Sequence, residues 1–202
     1  MIDKDSTTLA LFQHLLKGMT SKRFLKMQGL NSDIPFYICP FPVKLKLEVE
    51  KMIPQLIQRL STQDVHVLNI NLYDLCINKL KAEDLFEQLL EIEPKNEKGY
   101  FLESMQSILD VEKYIIPAIQ KTLDAHGNPD ILFLTGIGEV FPYIRAHNLL
   151  NNLQSVAKEF PSVLFFPGKY EHTLEQGASL QLFEKLPSDK YYRAYDITKS
   201  EF

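Results

Sequence analysis

One stretch, residues 130–153, limits what this chain can fold into more than any other. It opens on a continuous apolar run, Ile131-Leu132-Phe133-Leu134. Such a run predicts a strand covered on both faces, the kind that builds parallel sheets. Thr135-Gly136-Ile137-Gly138 follows, and its glycines permit backbone angles that other residues resist. Pro142 stands where a first helical turn accepts a proline. Ala146, Leu149, Leu150, Leu153 and the pair Val156/Ala157 then recur at helical spacing. The expectation is strand, tight turn, and a helix over residues 142–159. Open α/β sheets gather ligands just past the C-terminal ends of their strands, which is where residues 136–145 should fall.

The rest of the chain repeats this alternation. Residues 1–30 predict a helical preface, with caps at Ser6-Thr7-Thr8 and a stripe of Leu9, Phe12, Leu15 and Leu16. A second short segment carries Phe24, Met27 and Leu30. Residues 34–39 form a first strand ended by Pro40-Phe41-Pro42. Residues 43–60 form a helix that Pro54 should kink or split. Residues 65–72 form a second strand, and 73–78 a turn or short helix. Residues 82–92 form a helix with Leu85, Leu89 and Leu90 inward. Residues 101–124 form one longer helix bent at Pro117, stopped by His126-Gly127-Asn128-Pro129. Residues 162–166 are a strand closed by a turn at Pro167-Gly168, and 191–197 an edge strand. The pattern predicts one α/β domain over residues 1–202: a mostly parallel central sheet, helices on both faces, and residues 1–32 packed on it as a helical N-terminal region.

Composition narrows the function classes. A net charge of −4 favours neither nucleic acid nor a membrane surface as partner. No apolar run approaches the ~20 residues that span a bilayer. Residues 1–30 lack the apolar core of a secretory signal, so the cytoplasm is the expected compartment. Cys39 and Cys76 are expected to be buried free thiols.

By fold analogy the layout is that of a RecA/AAA-like P-loop NTPase core without its phosphate loop. The loop after the first strand is Pro40-Phe41-Pro42-Val43-Lys44-Leu45-Lys46. Prolines stand where glycine amides would cradle phosphates. Gly136-x-Gly138 lacks the third glycine of a dinucleotide fingerprint. Glu139 suits either Mg²⁺ or water activation, or a plain helix-start acid favoured by the dipole. The five histidines show no metal-ligand spacing, although His147 and His172 stand where adjacent strand ends could bring them together. No catalytic set, metal site or cofactor is therefore expected. The helix after Pro142 has an unusual polar side. Asn148, Asn151, Asn152 and Ser155 share a face, and asparagine is a poor helix former. These amides serve either a partner or a loop of this chain, such as residues 172–176.

Several segments carry a family resemblance: residues 21–30, Ile34-Pro35-Phe36-Tyr37-Ile38-Cys39-Pro40, Leu134-Thr135-Gly136-Ile137-Gly138-Glu139-Val140-Phe141-Pro142, Arg145-Ala146-His147-Asn148-Leu149-Leu150-Asn151-Asn152-Leu153, and Val163-Leu164-Phe165-Phe166-Pro167-Gly168-Lys169-Tyr170. They resemble the BrxB family of bacterial phage-exclusion (BREX) systems over most of the chain. The resemblance implies a small cytoplasmic component of a multi-gene defence system that blocks phage replication. Its neighbours there include a large ATPase, a DNA methyltransferase and the alkaline-phosphatase-like protein PglZ. It also implies a scaffold or adaptor role among other BREX proteins, PglZ above all, and supplies no catalytic residues. The expected partner surface is Glu139, Arg145, His147, Asn148, Asn151 and Asn152. The alternative is a nucleotide-binding or hydrolytic enzyme using Glu139, Arg145 and His147.

Overall fold

The computed structural model describes residues 4–28, 35–173, 177–186, 189–190 and 194–200. Expectations that rest on Leu30, Ile34, the break at residues 29–34, the loop at 174–176 and residues 191–193 lie outside these. So does anything resting on the side chains of Ser6 and His172.

The chain runs α1 (Lys4–Met19), α2 (Lys22–Leu25), β1 (Phe36–Phe41), a 3-10 turn (Val43–Leu45), α3 (Lys46–Ser61), β2 (Val67–Asn71), α4 (Leu72–Ala82), α5 (Phe86–Ile92) and α6 (Lys98–Ile108). A π-turn (Val111–Ile115), α7 (Ile116–His126), β3 (Ile131–Thr135), α8 (Ala146–Leu153), β4 (Ser162–Thr173), β5 (Gly177–Leu182), β6 (Asp189–Lys190) and β7 (Tyr195–Asp196) follow. Strands β2-β3-β4-β1-β7 lie side by side in that order, and every pair in the row is parallel. This is the parallel α/β sheet that the apolar strands predict.

Alternation along the strands sends side chains to two separate cores. Phe36, Ile38, Leu68, Ile70, Leu132, Leu134, Leu164 and Phe166 face one core, which α4 to α8 complete. Cys39, Phe41, Ile131, Phe133, Val163 and Phe165 face the other, completed by Leu15 and Met19 of α1 and by Val49, Met52, Leu56 and Leu60 of α3. Helices thus cover both faces. Phe133 and Phe165 meet edge to face, with ring centroids 5.1 Å apart.

The structure differs from the sequence reading at several breakers. Pro40 lies inside β1 and does not end it. The neighbouring β7 covers only Tyr37 and Ile38, so among the described residues Pro40 has no strand on that side to miss its amide. Pro54 sits inside an unbroken α3; it and Glu50 are exposed, so the carbonyl it leaves unbonded meets water. The helix expected over residues 101–124 is two. Asp110 interrupts it, and its side chain accepts the Lys113 amide at 2.8 Å. Pro117 opens α7 and does not bend a longer helix. Residues 82–92 are also divided, because Asp84 takes a positive φ of 56° between α4 and α5. Helix α1 begins at Lys4, before the caps expected at residues 6–8.

Pro167-Gly168 is not a turn. Strand β4 runs through it, leaving its parallel neighbours and pairing antiparallel with β5 from Gly168 onward. A Cβ on Gly168 would lie 2.2 Å from the Gln181 carbonyl oxygen, so only glycine lets β5 come this close.

Cys39 and Cys76 are both buried and free, and they belong to opposite cores. Burial pushes the Cys76 thiol up from 9.0 to about 12, with Lys79 pulling weakly the other way. Burial, helped by Asp196, raises Cys39 as well.

Two outcomes follow. Phe165→Ala should lower the unfolding free energy by about 3–5 kcal/mol, read from denaturant titration; a near-wild-type midpoint would contradict the two-sided core. The thiols remain protonated in the fold but ionise in the unfolded chain above pH ~8.5. Stability should therefore be full below that pH and fall as pH rises towards 12. Cys76→Ala should flatten this decline, measured as thermal midpoints between pH 7 and pH 10.

Candidate functional site

The C-terminal ends of β1, β2 and β3 open towards one edge of the sheet, and that edge is closed by the chain's own residues. At the end of β2, the Asn71 carboxamide oxygen accepts the amides of Tyr73 at 2.9 Å and Asp74 at 3.3 Å, capping α4. Beside it, Gly136 follows β3 with a φ of +77°. A Cβ there would lie 2.5 Å from that same Asn71 oxygen. Gly138 is hemmed in on the other side, where a Cβ would be 3.0 Å from both the Phe183 ring and Pro167. The two glycines serve close packing of strand ends.

No helix follows directly. Residues 136–145 form a loop pinned by buried Ile137, Val140 and Ile144, and α8 starts only at Ala146. The sequence predicts a helix from Pro142 because a proline suits a first helical turn, but the helical spacing itself begins only at Ala146. Pro142 instead follows a cis peptide bond in this loop, and its carbonyl accepts from Gln106 of α6 at 3.2 Å. The far end is also shorter than expected. Ser155 lies past α8 and donates to the Asn152 carbonyl at 2.8 Å.

Glu139 projects from this loop to Lys46, the first residue of α3, at 2.5 Å. Lys46 also pairs with Glu50 at 2.6 Å. Burial alone would lower the Lys46 pKa, but the hydrogen bonds to Glu139 and Glu50 outweigh it and raise the ammonium above its ordinary value. The Val43 amide, in the loop compared above with a phosphate loop, donates to Glu184 at 3.3 Å. Thus two ends of that loop are held by carboxylates. Lys46 is the residue that sequence reasoning missed. It stood in the loop considered, but nothing in one sequence pairs it with Glu139. Among the described residues, no group of His, Cys, Asp and Glu could hold a metal ion.

The six expected site residues do not converge. Glu139 turns to α3, which packs on one face of the sheet. Arg145 is exposed at the N-cap of α8, beside a hollow of about 20 Å³ lined by Ile137, Phe141, Ile144 and Phe166. His147 is half-buried one turn in. Asn148 and Asn151 are exposed, as the polar-face reading predicts. Asn152 is committed within its own helix, donating to the Asn148 carbonyl at 3.0 Å and carboxamide oxygen at 2.9 Å. Asn151 and Asn152 line an open cleft of about 350 Å³ with Glu112, Ile116, Ser155 and Lys158. This cleft lies between α8 and the start of α7, on the other face of the sheet from α3.

Fold and site together define a parallel α/β domain whose strand ends are closed by its own loops and whose polar features face outward. A family model described as "BREX protein BrxB" matches residues 68–197. A "BREX protein BrxB" of Bacillus cereus (strain H3081.97) is 31% identical over 184 residues, covering 91% of this chain and 93% of that protein. Another, of Escherichia coli O9:H4 (strain HS), is 30% identical over 175 residues, covering 87% and 84%. No solved structure matches the chain significantly. The chain belongs to the BrxB family and is a component of a BREX phage-defence system.

The glycine geometry predicts a coupling. Gly136→Ala should destabilise by at least ~1–3 kcal/mol, from positive φ alone. Asn71→Ala should cost about 1 kcal/mol as a lost cap. In the double variant the clash is gone, so the costs should sum to more than the measured total. Strict additivity in a double-mutant cycle would show that the two do not touch.

Proposed function

We propose that this chain is a non-catalytic adaptor of the BREX complex. It works beside the other BREX proteins in the cytoplasm, and PglZ is its first partner. The observation that carries this reading is the exposed Asn face of α8 and the cleft beside it. Asn148 and Asn151 weaken a helix, and a face meant only for water would use Glu and Lys. Each amide offers a donor and an acceptor in fixed geometry, which suits recognition of a protein surface. Arg145, His147 and Asn152 flank this face and complete the contact. Glu139, held by Lys46 on the α3 side of the sheet, takes no part in this contact.

Three features favour an adaptor over an enzyme. The strand-end crevice is packed by Asn71, Pro167 and Phe183 against the glycines. Glu139, the best candidate acid, is engaged by a lysine. The loop after β1 has prolines where phosphate binding needs amides. A cytoplasmic setting agrees with two buried free thiols. No helix of the described residues is long and apolar enough to cross a membrane.

The test is capture of PglZ by the tagged chain from cells carrying the whole gene cluster. Asn148→Ala with Asn151→Ala should leave the melting temperature within ~2 °C, because surface substitutions rarely exceed ~0.5 kcal/mol. Capture should fall at least tenfold, and phage protection should fall with it. Wild-type capture by the double variant, with an unchanged melt, would end the α8 reading. A folding defect would assign the amides to the loops of this chain.

A further inference from the structure

The crossover from β2 to β3 is much longer than one helix requires. It holds α4, α5, α6, the π-turn and α7. Its middle carries a surface that folding does not explain. Leu89 anchors α5 in the core, with Leu85 and Phe86 packed beside it. Leu90 is nevertheless 52% exposed, Ile92 41% and Tyr100 65%. The sequence reading placed Leu90 inward; the structure turns it to solvent.

Charge surrounds these residues. From Glu83 to Glu97 stand Glu83, Asp84, Glu87, Glu91, Glu93 and Glu97 against Lys95, a charge of −5, with Lys79, Lys81 and Lys98 at its margins. All six carboxylates are exposed. Glu83 pairs with Lys79 at 2.7 Å. Among the described residues, Glu87 and Glu91 have no ion-pair partner. Glu87 stands in the first turn of α5, where an acid is favoured, but the placement of Glu91 opposes helix formation. Glu91 lies in the last turn of α5, which has no basic residue there, although a helix C-terminus favours cations. Apolar residues turned outward and an acid at the wrong helix end both work against the isolated fold. Such conflicts mark places shaped by function.

We propose that this surface docks a basic protein surface that offers an apolar hollow to Leu90. Charge decides the occupant. Nucleic acid would meet the patch with like charge, and a second copy would bring −5 against −5. A partner rich in Lys and Arg gains steering from the carboxylates and burial from the apolar residues at its centre. The site is separate from the Asn face of α8 in both residues and chemistry, and depends on the adaptor reading only for the choice of sample.

The test uses the full chain, tagged, in cells carrying the whole BREX gene cluster. The purified complex is treated with a zero-length carbodiimide, which joins carboxylates to lysines in direct contact. Cross-links should run from the peptide of residues 83–97 to lysines of a different protein. Glu87→Lys with Glu91→Lys should abolish those links and reduce capture of that protein at least tenfold, as should Leu90→Asp. Capture by the wild-type chain should also fall several-fold between 0.1 and 0.5 M salt. Melting curves check that each variant folds; if Leu90→Asp does not, Leu90→Ala replaces it, and the charge variants stand alone. Links confined to this chain or to a second copy overturn the proposal. So does capture unchanged within twofold in all variants, or a wild-type chain that captures nothing. Loss through Asn148→Ala and Asn151→Ala, but not through these substitutions, overturns this proposal and leaves the α8 reading standing.

Discussion

The structure depends on parallel strands that are buried on both faces. Every residue of β3, from Ile131 to Thr135, is buried, and so is β4 from Ser162 to Gly168. A strand with no polar side must be roofed twice, so the chain needs helices above and below the sheet. It meets this need unequally. One face has the two long helices α1 and α3. The other has five helices, α4 to α8, several of them short. The last described residues also support the first face. Ile197 is buried there, and its carbonyl lies 2.9 Å from Nε2 of His14 in α1.

Given that frame, the strand ends are where chemistry would be expected, and packing has taken the space. Gly136 and Gly138 allow the loop after β3 to press against Asn71 on one side and Pro167 and Phe183 on the other. The Lys46–Glu139 pair then joins the loops after β1 and β3. Both side chains are about a third exposed, so the pair adds little to stability. Its effect is to fix loop geometry. With the crevice occupied, the recognition proposed above falls to the outer helical surfaces.

Strands β1, β3 and β4 were legible because an apolar run in a parallel sheet leaves a direct mark on the sequence, and β2 because it alternates and is β-rich. The two-sided core followed from the same runs. Helix limits were less legible. Pro142 suited a first helical turn, so the helix was begun there, but Ile137, Val140 and Ile144 bury a loop that runs on to Arg145. Asp110 broke a helix by capping the next turn, a local bond that competes with helical continuation. Pro167-Gly168 looked like a turn because its role, admitting β5, is set by a strand distant in sequence. Of the candidate site, the Asn face was visible, since it is local to one helix. The partner of Glu139 was not, since Lys46 follows β1 and is distant in sequence, with β4 between their strands in the sheet.

The two outward surfaces use different physics, and that difference bears on how one small domain could serve a complex. The proposed α8 contact rests mainly on directional amides, with Arg145, Glu112 and Lys158 only at its margins, so salt should matter less to it. The α5 surface relies on charge around exposed apolar residues, which salt screens strongly. An adaptor that read both partners by one chemistry would let either partner occupy both sites. Distinct chemistries prevent this, because a basic surface gains little from an amide face, and an amide-matching surface is repelled or left unpaired among carboxylates. Both surfaces also belong to the many-helix side of the sheet, carried by the elements flanking β3. On these two proposals the long crossover has a physical reason. One helix would roof the sheet, but it would leave no second surface whose charge and shape could be set independently of α8.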